Sequence, residues 1–187
     1  MKKPYCLMIG GMSASGKSTL AGTLAEKLNN LDISTAIIGG DKFFRDELPV
    51  MTSPISGRQF DDCNSPDSID SDALYHSVRD MLSQAVDIVI VEGISVLCFD
   101  NIRKLADTVV YVDASVETRL YRRIRRNLEW GSSLHEIGDY YVESARFGEM
   151  RNFEYTRAYA SVIINGDRPT EEVVDMLTAY LKSKINR

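Results

Sequence analysis

The sequence predicts an α/β fold of three layers, a five-stranded, mainly parallel sheet between two layers of helices. Two patterns carry that prediction. Strand-like and helix-like segments alternate along the chain, as a parallel sheet requires, because each return to the same end of the sheet needs a crossover. Two of the strands, Ile88-Val89-Ile90-Val91 and Val109-Val110-Tyr111-Val112, are unbroken runs of β-branched and aromatic residues, the composition of strands covered on both faces.

Taken in order, the predicted strands are 5–10, 34–39, 87–91, 108–112 and 161–164. The predicted helices are about 17–29, 69–84, 115–129, 133–157 and 170–184. The first strand, Tyr5-Cys6-Leu7-Met8-Ile9, runs into Gly11-Met12-Ser13-Ala14-Ser15-Gly16-Lys17-Ser18. This is a complete G-x-x-x-x-G-K-[ST] spacing in a strand–loop–helix frame, the setting that gives it a mechanism. Its glycines let successive N–H groups curl around phosphate oxygens, and the helix start adds its free N–H groups and positive dipole end. The fold is therefore expected to be of the P-loop NTPase type. Pro169, Thr170, Glu171 and Glu172 open the last helix, with acids in its first turn. Residues 49–68 are irregular and rich in Pro, Ser and Gly, and a loop of that length is usually functional. The expected organisation is one domain over 1–187, with a mobile loop at about 45–68 and a helical lid at about 119–157.

Composition sets further bounds. A chain of 187 residues supports one well-buried core. No apolar run approaches the ~20 residues of a membrane span. The short apolar stretch before the phosphate loop predicts no targeting peptide. Three cysteines, Cys6, Cys63 and Cys98, lack metal-ligand spacing and predict free thiols in a reducing cytoplasm. A net charge of −5 argues against nucleic-acid binding.

Four constellations carry chemistry. Asp41 follows the second strand in Gly39-Gly40-Asp41-Lys42-Phe43-Phe44; at a strand end it is placed to accept the proton of an attacking hydroxyl, or else to cap the next turn. Glu92 ends the third strand, where it can hold Mg²⁺ with the Ser18 hydroxyl, or pair with a nearby cation. In Arg119-Leu120-Tyr121-Arg122-Arg123-Ile124-Arg125-Arg126, helical spacing puts Arg119, Arg122, Arg123 and Arg126 on one face. Val116, Leu120, Ile124 and, one turn on, Leu128 line another. The helix is expected to pack through the aliphatic stripe and offer guanidinium groups to phosphates. The acidic segment Phe60-Asp61-Asp62-Cys63-Asn64-Ser65-Pro66-Asp67-Ser68 can bond sugar hydroxyls through Asp61. Asp67 either does likewise or caps the following helix, a place Ser68 could also take. The aromatics between Trp130 and Tyr159 are assigned to core or lid packing.

The motifs, in this order, resemble the uridine kinase and phosphoribulokinase family of P-loop kinases. The phosphate loop is similar to the family's G-x-[ST]-[AG]-S-G-K-[ST], and Asp41-Lys42-Phe43-Phe44 to its D-x-F-Y. Phe60-Asp61 with Pro66-Asp67 resembles F-D-H-P-D, split here by an insertion and with Asp62 in place of His. Glu92-Gly93-Ile94 resembles E-G-I, and Thr118-Arg119-Leu120 with Arg122, Arg123 and Arg126 resembles the lid helix. Tyr159-Ala160-Ser161-Val162-Ile163-Ile164 resembles the closing strand. The resemblance implies an ATP- and Mg²⁺-dependent kinase of a small hydroxyl compound, most simply a nucleoside at its 5′-hydroxyl, in the cytoplasm and able to form homo-oligomers. The implied nucleotide cradle is Gly11, Ser13, Ala14, Ser15, Gly16, Lys17, Ser18 and Thr19, joined by Arg126. Implied catalytic groups are Lys17, Asp41, Arg123 and Arg126. Implied acceptor contacts are Asp41, Phe44, Asp61 and Arg123, and Ser18 and Glu92 are the implied metal pair.

Two departures bear on the acceptor. The family's base-holding hairpin is missing, since Leu82-Ser83-Gln84-Ala85-Val86 passes almost directly from helix to strand. The family's E-R-G-R-D stretch reads Glu129-Trp130-Gly131-Ser132-Ser133, without either arginine. Kinases of nicotinamide riboside or of a sugar therefore compete with a uridine kinase. Arg45 and Arg58 would be available if the acceptor carried a phosphate. A regulatory NTP-binding protein on the same fold is the alternative from another class.

Overall fold

The structure is a computed structural model that describes residues 3–168 and 170–185. Pro169, expected to open the last helix, lies outside the described residues. The central sheet is five-stranded and entirely parallel: β1 (Tyr5–Gly10), β2 (Thr35–Gly39), β5 (Ile88–Glu92), β6 (Thr108–Asp113) and β7 (Val162–Asn165), in the order β2-β5-β1-β6-β7. All five lie within a residue or two of the expected strands.

Period-two alternation divides the core between the two faces. Leu7 and Ile9 of β1, Ile88 and Ile90 of β5, and Val110 and Val112 of β6 pack with α1 (Lys17–Asn29) and α7 (Thr170–Ile185). Their neighbours Cys6 and Met8, Val89 and Val91, and Val109 and Tyr111 face the opposite layer, which contains α2 (Ser71–Met81) and α3 (Asp100–Arg103). Asp70 caps α2 by accepting from the Ala73 N–H at 3.0 Å. Neither Asp67 nor Ser68 is that cap: Ser65 accepts from the Asp67 N–H and opens a separate 3₁₀ turn over Pro66–Ser68.

Three features differ from expectation. Residues 49–68 contain an antiparallel hairpin, β3 (Val50–Thr52) and β4 (Gln59–Asp61), in which Val50 pairs with Asp61. Strands of three residues are too short for alternation to announce them. The expected helix 133–157 is broken into α5 (Leu134–Tyr140), a π-helical turn (Tyr141–Ala145), α6 (Arg146–Asn152) and a 3₁₀ segment (Glu154–Tyr159). Helical periodicity runs through such changes of pitch and hides them. Lastly, α4 (Val116–Glu129) buries Arg119 and Arg123, while Val116 and Leu128 of its expected packing side are exposed. Leu120 and Ile124 of the expected stripe are half-buried, and Arg119 and Arg123 are buried because a carboxylate outside the helix pairs with both.

Candidate active site

The loop between β1 and α1 takes its shape from residues in left-handed conformations. Gly11, Ala14 and Gly16 have φ of 144°, 61° and 105°. A Cβ on Gly11 would stand 2.4 Å from the Val112 carbonyl oxygen, so glycine lets the loop cross the tip of β6. Ala14 pays a steric cost in this region, which a functional loop commonly carries. The Ser15 hydroxyl is buried without a protein partner. Such an orphan, within a ring of curled backbone, fits a phosphate group.

Lys17 folds back over the loop, its Nζ donating to the Met12 carbonyl oxygen at 3.0 Å. Burial lowers the pKa of its ammonium, against the opposing pull of Glu92, Asp41 and Glu149. Ser18 donates to Glu92 Oε2 at 3.1 Å. Burial raises the Glu92 pKa, and Lys17 and Ser18 oppose it. The register that pairs Gly39 with Glu92 brings the ends of β2 and β5 together. Asp41 follows in a short 3₁₀ turn (Gly40–Phe43). Glycine at position 40 permits the close approach: a Cβ there would lie 2.9 Å from Val96 Cγ1. Asp41 faces a cavity of about 690 Å³ shared with the phosphate loop, Arg122, Arg126 and Trp130.

The arginine stripe of α4 is divided. Arg122 donates to the carbonyl oxygens of Ser15 (3.1 Å) and Gly166 (2.9 Å), tying α4 to the phosphate loop and to the turn after β7. Arg126 lines the cavity with its guanidinium 4.8 Å from the Trp130 ring centre. Burial lowers its pKa, with a further push from Arg123. Arg119 and Arg123 instead bond the two oxygens of Glu149, at 2.5 and 2.6 Å.

Phe44, three residues after Asp41 and not among the residues lining that cavity, is partly exposed and bridges to Ile69. Asp61 lies exposed on β4, and its carbonyl oxygen accepts from the Tyr140 hydroxyl at 3.4 Å. Asp62 is buried, accepts from the Asn64 N–H at 3.0 Å, and has its pKa raised by that burial. Arg58 is engaged by Asp139 and Glu143 and by the Phe60 ring, while Arg45 donates to the Asp67 carbonyl oxygen. The cysteines are free.

Sequence reasoning missed Glu149, Trp130 as a cavity wall, and the Asn165–Arg168 turn. A lone acid in a mixed helix and a single aromatic carry no spacing signal. The one available hint was an excess of arginines in α4 that exposed phosphate contacts alone did not require.

A family model described as "AAA domain" matches residues 7–135, a span running from β1 to the start of α5. The uridine kinase of Lactobacillus helveticus (strain DPC 4571) is 29% identical over 211 residues, covering 100% of this chain and 98% of that protein. The uridine kinase of Haemophilus influenzae (strain PittGG) is 28% identical over 215 residues, covering both chains in full (100% of each). Both alignments are longer than the 187 residues of this chain, so this chain carries gaps in each. Among solved structures, a gluconokinase from Sinorhizobium meliloti 1021 superposes with a TM-score of 0.60 at 17% identity, covering 100% of this chain and 96% of that one, a likeness of fold. With the phosphate loop, the strand-end carboxylates and α4 all inside the matched span, the chain belongs to the AAA-domain family of P-loop nucleotide-binding proteins.

Proposed function

We propose that this chain is an ATP-dependent kinase that transfers the γ-phosphoryl group to a hydroxyl of a small molecule, with the 5′-hydroxyl of a nucleoside as the first candidate. The observation that carries the reading is the cavity lined by Lys17, Ser18, Asp41, Arg122 and Arg126, with Glu92 held by the Ser18 hydroxyl.

Phosphoryl transfer asks the protein mainly for positioning and charge. The backbone N–H groups of residues 13–19 hold the phosphate chain. Lys17 sets its ammonium against the β- and γ-oxygens in a site where burial strengthens the interaction. Arg126 adds a second cation on the lid side. Asp41 takes the acceptor's proton at its carboxylate. Ser18 and Glu92 offer two hard oxygen donors, and among the described residues no group of three His, Cys, Asp or Glu could hold a metal unaided. That fits Mg²⁺, which commonly shares its shell with substrate phosphates; bound there, the ion would offset phosphate charge. Asp61 and Phe44 border the acceptor side. Arg123, expected among the catalytic and acceptor contacts, is assigned instead to its ion pair with Glu149.

The same reading takes 1–187 as one kinase domain, with a lid over about 119–157 and an acceptor-side segment over about 45–68. It places the protein in the cytoplasm, with a small-molecule acceptor, no nucleic-acid partner and the option of self-association. No described helix is long and apolar enough to cross a membrane. A riboside or sugar other than uridine is the second reading. It is favoured by the direct passage from α2 to β5, where Ser83 and Gln84 turn back on Asp80 and Met81 and no hairpin intervenes. An acceptor phosphate finds little support, because Arg58 is already paired. The test is γ-labelled ATP with a panel of nucleosides, nucleotides, ribosides and sugars. Transfer to ribosides is the expected result. Hydrolysis with no acceptor would favour a regulatory NTP-binding protein.

A further inference from the structure

Glu149 has no role in the chemistry described above, yet it is among the most enclosed charges in the molecule, 2% exposed on α6. Both its oxygens are taken by lid-helix guanidinium groups, from Arg119 and Arg123. The same short helix is tied to the acceptor-side segment. A Cβ on Gly148 would come within 2.7 Å of Asn64 Cβ, and Asn152 Nδ2 donates to the Asn64 carbonyl oxygen at 2.7 Å. One turn beyond Arg119 and Arg123, the lid helix presents Arg122 and Arg126 to the cavity.

We propose that Glu149 is a positioning residue for phosphoryl transfer. It holds the lid helix in the rotation that aims Arg126 at the cavity, and through α6 it couples that rotation to the acceptor-side segment 62–64. The inference rests on the kinase reading for its catalytic consequence and on the geometry alone for the positioning. A helix rotated by a fraction of a turn would carry the Arg126 guanidinium off its target, and a misplacement of ~1 Å can cost about 100-fold in rate.

The test compares Glu149→Gln with wild type in two ways. Trp130 is the single tryptophan and stacks on Arg126 at the end of the lid helix. Its time-resolved anisotropy, read without any ligand, is expected to show larger local motion in the variant. Unchanged anisotropy in a folded variant overturns the positioning role, whether or not the protein turns over ATP. The second readout is kcat for Glu149→Gln, Arg126→Ala and the double variant. Each single change is expected to lower kcat by about tenfold or more. The double variant is expected within about twofold of the worse single. Losses that multiply show that Glu149 acts independently of Arg126 and overturn the proposal. Absence of transfer by wild type defeats the kinase reading and leaves the anisotropy to decide the positioning. Should Glu149→Gln fail to fold, the triple change Arg119→Met, Arg123→Met, Glu149→Met removes the cluster without leaving a buried charge unpaired. It then stands in both measurements, with the same outcomes.

Discussion

The phosphate-loop side of the proposed site and its proposed acceptor side are built in different ways. On the donor side, main-chain geometry does the work. Gly11, Ala14 and Gly16 shape a loop fixed between β1 and α1, and Ser18 and Glu92 meet because parallel strands end in register. On the proposed acceptor side, a hairpin of two three-residue strands and a broken helix are held by side chains: Tyr140 to Asp61 and Asn64, Asn152 to Asn64, Arg58 to Glu143. Such contacts are replaceable one at a time, whereas a loop that needs three left-handed residues is not. The contrast explains why a chain can keep a whole nucleotide motif while altering the segment proposed to meet the acceptor.

The largest effect separating the two sides is expected at Lys17. Lys17→Met should lower kcat on the order of 10³–10⁵-fold, the scale of other cations that meet the transferring phosphoryl group. It should also raise Tm. The fold disfavours the ammonium, so the cost exists wherever the unfolded chain is protonated and vanishes only as pH rises past the ordinary lysine range. Thermal melts at neutral pH check the sign. A variant that turns over normally would remove the donor site from the mechanism.

Asp41 stands at the junction. Asp41→Asn should lower kcat by about 10²–10⁴-fold with ATP affinity little changed. A loss confined to ATP binding would move Asp41 onto the donor side.

The two lid arginines should part company. Arg126→Ala is expected to cost about 10²–10³-fold in kcat with little change in Tm. Arg123→Ala should cost about 3 kcal/mol of stability, because it strips one partner from a buried pair. Equal kinetic losses with equal melts would restore the single stripe predicted from helical spacing.

A smaller effect is expected at Asp61. Asp61→Ala should raise KM for a riboside about 10–100-fold and leave KM for ATP unchanged. In wild type the 2′-deoxy analogue should be the poorer substrate, and the variant should erase that difference. A deoxy preference that persists would assign hydroxyl recognition elsewhere.

The smallest effect is expected at Asp62, which is enclosed but does no proposed chemistry. Its pKa is raised, so the stability it contributes is present below the ordinary carboxylate range and is lost as pH rises through the folded value. Asp62→Asn should therefore stabilise the protein at neutral pH by up to about 1 kcal/mol, and the gain should vanish in acid. Melts of both proteins between pH 3 and about 8 test the slope.

Much was legible from residues alone. The strands β5 and β6 announced themselves because burial on both faces demands continuous β-branched and aromatic runs, and the phosphate loop because its glycines answer a local backbone need. Both are properties of neighbours along the chain, which is where sequence patterns live. The fate of the arginines was not legible. Helical spacing groups Arg119, Arg122, Arg123 and Arg126, but which of them is buried depends on Glu149, more than twenty residues away and on another helix. The hairpin within 49–68 and the π turn at 141–145 escaped for the same reason, since tertiary contacts rather than local propensity stabilise elements so short. Sequence by itself determined the sheet and the nucleotide loop; tertiary structure decided which charges face the cavity, because pairing a buried charge is a matter of what lies opposite in space.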